Sequence, residues 1–221
     1  MKRNLTLWIV LGIVLLLAFV GCGQYNGMVK EDENVKNAWG NVQSAYQRRA
    51  DLIPNLVSTV QGEANFERGT LTDVINARAN ATAVRVDPTQ LTPEQLEKFQ
   101  QAQGQLSQAL GRLLVVSENY PNLRANDAFR NLQYELAGTE NRINTERNRF
   151  NTIVNSYNTK VRSFPNNIFA GMFGFRARPP FEADQGAQTA PRVNFPTNQP
   201  GTSAPTQSAP GQRTVDTSKS R

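Results

Sequence analysis

Cys22 is the residue whose type and position suggest the most specific chemistry in this sequence. It is the only cysteine, and it follows an apolar run, residues 5–20, that begins just after Lys2 and Arg3. A basic segment, an apolar segment and a small residue before a cleavage point are typical of a secretory signal peptide. Because Gly21 and Cys22 end the run, the pattern resembles a bacterial lipobox and predicts cleavage before Cys22 with lipid attached to its thiol.

An uncleaved membrane helix is the alternative for the same residues. Phe19 stands where a lipobox usually has leucine, and residues 5–21 are at the short limit for crossing a bilayer. Both interpretations predict that the N-terminus binds membrane lipid. The positive charges of Lys2 and Arg3 favour a cytoplasmic N-terminus, which predicts a periplasmic or extracellular body in the cell envelope.

Little else in the composition favours catalysis. The chain has no histidine and one cysteine, which excludes a disulfide framework, the usual zinc sites and the commonest general acid–base group. We therefore predict a non-enzyme with no catalytic, metal-binding or cofactor-binding residue. A hydrolase of envelope polymers would need two carboxylates held around a cleft, and most acidic residues here fall on exposed helix positions.

The positive net charge is concentrated outside the predicted body. The whole chain carries +6, but residues 30–175 have 16 Lys and Arg against 15 Asp and Glu, a net of +1. A basic stripe interleaved with aromatic residues, as nucleic-acid binding requires, is not present. The sequence predicts a protein partner of unknown identity and no nucleic acid.

Apolar residues recur at helical spacing through most of the body, and no useful stretch alternates with the period of a strand. We predict an all-α, antiparallel up-and-down bundle of about four helices with a long first and last helix. The predicted helices are 28–66, 70–84, 93–120 and 124–163. Thr92, Pro93 and Gln95 form a typical helix start before the third.

Pro54 and three polar residues interrupt this pattern. The heptad phase continues through Pro54, which favours a kinked continuous helix over a new helix capped by Asp51. Arg49, Gln103 and Glu146 fall in core phase, as register-setting residues or as a polar seam. A buried Arg49 must find a carboxylate or carbonyl, and Glu146 is one candidate.

The C-terminal part divides into two segments. Residues 164–175 are apolar and rich in phenylalanine, so they either pack back on the bundle or form an exposed patch that meets a partner or the membrane interface. Residues 184–221 are rich in Pro, Thr, Ser and Gln and predict a disordered tail. The predicted organisation is an anchor or signal at 1–22, a bundle at 25–183 and this tail.

The body resembles the LemA family from about residue 25 to residue 183. The resemblance is carried, in order, by segments that include Tyr25–Val29, Gln47–Val57, Tyr120–Asn126, Thr139–Ile143, Tyr157–Pro165 and Pro179–Ala183. It implies a membrane-anchored, long antiparallel helical bundle whose biochemical activity is not settled, and it supplies no catalytic residue. A histidine common in the family near residues 62–67 is missing here.

These observations predict a non-enzymatic scaffold or interaction module of the bacterial envelope. The alternative is a sensor or regulatory subunit in envelope stress or membrane remodelling that acts with a separate membrane protease or receptor. The oligomeric state stays open. The candidate interaction surface comprises Arg48, Asp51, Pro54, Asn55, Phe169, Phe173 and Phe175.

Overall fold

The part of the chain that the structure describes is helical, without strands. The computed structural model describes the backbone of residues 2–63 and 66–182, and within residues 2–20 it describes the side chains of residues 8, 9, 11, 12, 15 and 19 alone. The helices are α1 Lys2–Gln61, α2 Arg68–Ala83, α3 Pro93–Ser117, α4 Pro121–Ala125, α5 Asp127–Arg162 and α6 Asn166–Phe173, with a 3-10 turn at Pro88–Gln90. The all-α prediction is confirmed. The predicted tail, residues 184–221, lies outside the described residues.

The four long helices α1, α2, α3 and α5 form the predicted up-and-down bundle. α1 packs most extensively on α5, and α2 packs most extensively on α3. Gly27 of α1 lies beside Lys160 of α5, whereas Arg49 lies beside Glu140, so the two helices are antiparallel. Hydrogen bonds from α3 to both ends of α2 show that this pair is antiparallel as well.

The first helix is longer at its start and shorter at its end than predicted. It runs without a break from Lys2 through Pro54 to Gln61, so the separate helix capped by Asp51 is not formed. No helix-breaking residue lies between the apolar run and the bundle, and single glycines cost a helix only about 1 kcal/mol each. After Gln61 the chain turns at Gly62, well before residue 66.

The other helix ends shift by a few residues for identifiable reasons. Thr92 caps α3 as predicted, and its hydroxyl accepts from the amide of Gln95 at 3.3 Å. α3 ends at Ser117 because the next three amides form tight turns back onto residues 115–117. Pro121 then begins the short α4, which the sequence did not predict. Asn126 accepts from the amide of Ala128 at 2.9 Å and caps α5.

Two apolar clusters fill the bundle along its length. The first surrounds Trp39 and is built mainly from α1, α3, α5 and the chain after α6; it includes Met28, Val35, Trp39, Phe99, Phe150, Tyr157 and Phe181. The second lies towards the far end of α1 and includes Ile53, Leu56, Val74, Leu106, Leu113 and Phe129. Arg49 of α1 stands between the two clusters in the sequence, and it is buried.

The predicted N-terminal anchor is tested only in part by this structure. Across the residues that it describes, no helix is both long enough and apolar enough to span a membrane. Most side chains of the apolar run, residues 5–20, lie outside that description. The anchor therefore stays a prediction.

Candidate functional site

Arg49 is the centre of a polar layer that crosses the core. Its side chain is only 3% exposed. One terminal nitrogen donates to Ser107 Oγ at 2.9 Å and to Glu140 Oε2 at 2.8 Å, and the other donates to Gln103 Oε1 at 2.7 Å. The guanidinium also lies over the ring of Tyr46, 5.1 Å from its centroid. α1, α3 and α5 are thereby joined through one charge.

Two of the three predicted core polar residues meet, and the third does not join them. Gln103 is buried beside Arg49, and its Nε2 donates to Ala81 O of α2 at 3.2 Å, which brings α2 into the layer. The predicted pairing of Arg49 with Glu146 is wrong, because the antiparallel register places Glu140 opposite Arg49. Glu146 is partly buried further along α5.

Pro54 leaves one backbone carbonyl of α1 to be bonded by the next helix. Because proline has no amide hydrogen, Pro54 cannot donate to the carbonyl of Ala50 one turn earlier. Arg78 Nε of α2 donates to that carbonyl at 2.8 Å. The proline therefore opens a hydrogen-bonding position on α1 that α2 occupies.

The first half of the candidate interaction surface is exposed. Arg48 and Asp51 line an open groove of about 1010 Å³ between α1 and the end of α2, and Gln47 Nε2 donates to Asp51 Oδ1 at 2.7 Å. Pro54 and Asn55 are exposed further along α1 and do not line the groove. The four residues share one side of α1, but only two of them border a concave surface.

The second half of that surface is only partly available. Phe169 of α6 packs against Gly21 of α1, where an added β-carbon would lie 3.1 Å from Phe169 Cε1. The rings of Phe173 and Phe175 meet the ring of Tyr25 edge-on, with centroids 5.0 and 5.8 Å apart. The structure therefore packs this segment back on the bundle, and these phenylalanines chiefly fasten α6 to α1.

The two halves do not form one surface. α6 packs beside Gly21, whereas the groove begins near Arg48. At the rise of an α-helix the 27 residues between them extend about 40 Å along α1. Cys22 is exposed on α1 at the α6 end.

An extended segment after α6, residues 175–182, is the largest feature that the sequence did not predict. The Asn158 side chain donates to Arg178 O and accepts from its amide, both at 2.8 Å. Asn151 makes the same pair of bonds with Phe181, at 3.1 and 2.8 Å. We call residues 175–182 the strap, because two asparagines of α5 hold it against the bundle.

The spacing of these asparagines follows from helix and strand geometry. Seven residues of an α-helix rise about 10.5 Å, and three residues of extended chain also span about 10 Å. Asn151 and Asn158 therefore present their amides in step with Arg178 and Phe181. Two asparagines seven residues apart on a helix, followed by a proline-rich extended segment, were the sequence signal for this contact.

The strap completes the first apolar cluster. The Phe181 ring stacks on Trp39 with centroids 5.7 Å apart and meets Phe150 at 5.3 Å. Arg147 lies over the Phe181 ring, with its guanidinium carbon 5.0 Å from the ring centroid. Phe181 is 5% exposed. A residue distant in sequence is thus part of the core between α1 and α5.

Charges line the same end of the bundle. Arg178 of the strap donates to Thr89 O at 2.8 Å and to Asp32 Oδ1 at 3.0 Å, and Lys36 pairs with the other oxygen of Asp32 at 3.0 Å. Burial raises the pKa of the nearby Tyr157 hydroxyl, and the negative charge of Asp32 adds to that shift. Hydrogen bonds to Glu33 and Asp32 raise the pKa of Lys36.

This arrangement of charges links elements of the fold. Among the described residues, no group of three or more His, Cys, Asp or Glu side chains is placed to hold a metal ion. The polar layer, the Arg78 bond and the strap each connect helices, and their acids are engaged by arginine or lysine. Their geometry supports a cross-linked helical bundle with two separate exposed faces.

Residues 38–195 match the model of the LemA family. The chain belongs to the LemA family. The match begins beside Trp39 at the centre of the first apolar cluster and includes the polar layer, the Arg78 bond to Ala50 O and the strap. The expected resemblance is confirmed over most of the body.

Individual relatives are distant in sequence. Magnetosome protein MamQ 2 of Paramagnetospirillum magneticum is 26% identical over 199 residues, which cover 81% of this chain and 73% of the relative. Magnetosome protein MamQ of Magnetospirillum gryphiswaldense is 26% identical and covers 77% and 70%. Protein LemA of Metamycoplasma hominis is 27% identical over 125 residues, which cover 57% of this chain and 53% of that protein.

Proposed function

We propose that this LemA-family chain is a membrane-associated, non-enzymatic scaffold of the bacterial envelope. The N-terminal segment attaches it to the membrane, either through lipid on Cys22 or as an uncleaved helix. The bundle extends from that point into the periplasm or the extracellular space. Protein partners bind the exposed faces of the bundle.

The continuity of α1 is the observation that carries this proposal. One helix contains both the apolar run and the first helix of the bundle, from Lys2 to Gln61. A continuous helix of this length holds its C-terminal end far from the membrane: the 40 residues from Gly21 to Gln61 extend about 60 Å. The neutral body and the engaged acids favour binding over catalysis.

The intact mass of the protein extracted from its native membrane tests the attachment. Loss of the first 21 residues together with added acyl mass, both absent in a Cys22→Ser variant, supports a lipoprotein. A full N-terminus without acyl mass supports an uncleaved helix. Recovery of the protein in the soluble fraction, at its full mass or after cleavage without acylation, would contradict membrane association.

Crosslinking in intact cells tests the scaffold role. We expect an Arg48→Ala/Asp51→Ala variant to lose a reproducible crosslinked partner that an exposed control outside the groove lining, Tyr134→Ala, keeps. Tyr134 is 75% exposed on α5. Hydrolysis of an envelope polymer by the purified protein, abolished by one Asp or Glu substitution, would overturn the non-enzymatic assignment.

A further inference from the structure

α6 carries an apolar stripe that the bundle does not cover. Ile168 and Met172 are 55% and 73% exposed, and Phe164, just before the helix, is 81% exposed. These positions are spaced four residues apart, so Ile168 and Met172 lie on the same side of α6. Large apolar side chains grouped in this way on a surface mark an interaction site more often than isolated ones do.

The packing of α6 on the bundle does not require this stripe. Ala170 is buried, Phe169 contacts Gly21, and Phe173 contacts Tyr25. These residues occupy the inner side of α6. The left-handed Gly174, with φ of 79°, then ends the helix and turns the chain into the strap. Ile168 and Met172 are left on the outer side.

The position of the stripe indicates its partner. α6 packs on α1 at Gly21 and Tyr25, directly after the apolar run of residues 5–20. Phe19 of that run is 83% exposed. Whether Cys22 is lipidated or α1 continues into the bilayer, this end of the bundle meets the membrane surface first. The stripe therefore continues the lipid-binding segment of the chain.

The charge around α6 suits an anionic lipid surface. From Lys160 to Phe181 inclusive, the chain has four basic residues and no acidic residue. Arg162 and Arg176, on either side of α6, are exposed, and neither forms an ion pair with another described residue. A short amphipathic segment with apolar residues between arginines is typical of helices that lie in a membrane interface.

We propose that α6 lies in the headgroup region of an anionic membrane, with Phe164, Ile168 and Met172 inserted and Arg162 and Arg176 on lipid phosphates. This inference rests on the proposed membrane association and adds a second contact to it. One attachment at the end of α1 leaves the bundle free to tilt against the membrane. A second contact through α6 fixes the angle between the bundle and the membrane.

Site-specific fluorescence tests this contact, because the chain has a single cysteine to remove. In full-length Cys22→Ser protein, an environment-sensitive probe is placed on Met172→Cys or Ile168→Cys. Val115→Cys, 66% exposed at the far end of α3, is the control. The proteins are reconstituted into vesicles of phosphatidylcholine with phosphatidylglycerol, with and without brominated lipid. Thermal unfolding checks that each variant keeps the wild-type fold.

We expect the emission at positions 168 and 172 to shift to the blue and to be quenched by brominated lipid, while position 115 does neither. We also expect quenching at position 172 to weaken in neutral vesicles and in an Arg162→Gln/Arg176→Gln background. Protein that floats with the vesicles but gives no quenching at positions 168 and 172 overturns the α6 contact and leaves the proposed function intact.

Two further outcomes separate the remaining possibilities. Wild-type protein extracted from its native membrane, with Cys22 intact, that does not float with vesicles of either composition contradicts membrane association itself, and with it the α6 contact. A blue shift that depends on protein density and is insensitive to brominated lipid shows that the stripe binds a second copy of the chain, which overturns the lipid assignment.

Discussion

Arg49 shows how one buried charge can define the register of a bundle. Its donors reach Ser107 and Gln103 on α3 and Glu140 on α5, so sliding any of these helices by a residue would leave a buried charge without partners. Apolar contacts alone specify register less strictly, since leucine-like side chains can pack into alternative gaps between the side chains of the facing helix. We interpret the polar layer as the feature that aligns the helices.

Replacing Arg49 by leucine should destabilise the bundle. Gln103 Oε1 would lose its donor at a buried position, which costs about 1–3 kcal/mol. Urea unfolding measures the change, and Arg48→Leu on the exposed neighbouring position is the matched control. The double variant Arg49→Leu/Gln103→Leu should recover part of the loss; strictly additive effects would contradict a coupled layer.

Tyr157 should make stability depend on alkaline pH. Burial raises its pKa in the folded state above the unfolded value of about 10, so the folded protein favours the neutral phenol. This contribution is fully present below about pH 10 and is lost as pH rises through the raised pKa of the folded state.

Thermal unfolding from pH 8 to pH 11.5 checks the sign. Wild type should lose stability more steeply above about pH 10 than Tyr157→Phe, because phenylalanine has no proton to release. Every other ionisable group is the same in both proteins, so the difference between the two curves isolates Tyr157. Parallel curves would show that the hydroxyl is not desolvated.

At the scale of elements, Pro54 removes one hydrogen bond from α1 and so provides a bonding position for α2. The heptad pattern correctly indicated that α1 continues through it, but not why a proline stands there. Because Pro54 has no amide hydrogen, Ala50 O is left for Arg78, and this bond joins the last third of α1 to α2. Contacts between α1 and α2 are otherwise few compared with those between α1 and α5.

A double-mutant cycle on Pro54 and Arg78 should show strong coupling. Arg78→Leu removes the donor to Ala50 O and should cost about 1–3 kcal/mol in the wild-type background. In Pro54→Ala, the new amide can bond to Ala50 O, so Arg78→Leu should cost less than about 1 kcal/mol. Chemical unfolding of the four proteins measures the coupling. Equal costs in both backgrounds would mean that the proline and arginine act independently.

At the scale of the whole molecule, the strap joins the C-terminal end of the body to its N-terminal end. Arg178 contacts Asp32 of α1 and Thr89, while Phe181 fills the core against Trp39. The bundle is therefore incomplete without residues that follow its last long helix by more than a dozen positions.

Two truncations separate the strap from the predicted tail. A chain that ends at Glu182 should unfold at the wild-type temperature, because the sequence of residues 184–221 predicts disorder. A chain that ends at Ala177 loses the Phe181 ring and should be destabilised by about 3–5 kcal/mol, as for other buried phenylalanines. Calorimetry compares the two with the full chain. Equal stability of all three would show that the strap is not part of the core.

The sequence by itself determined the elements and their order. Heptad spacing predicted the all-α class and the four long helices, and Thr92 with Pro93 located the start of α3. Continuity through Pro54 and the core phase of Arg49 and Gln103 were also predictable, because helix periodicity depends only on nearby residues.

The tertiary structure alone decided which distant residues meet. The choice of Glu140 over Glu146 depends on the register of α1 against α5, and no local pattern fixes the pairing of two residues 91 positions apart. The Arg78 bond, the strap clamped by Asn151 and Asn158, and the outward stripe of α6 depend likewise on contacts across the bundle. Packing across the core and the geometric match of helix to extended chain determine those contacts. Both act between residues that are far apart in the sequence, so a local pattern does not reveal them.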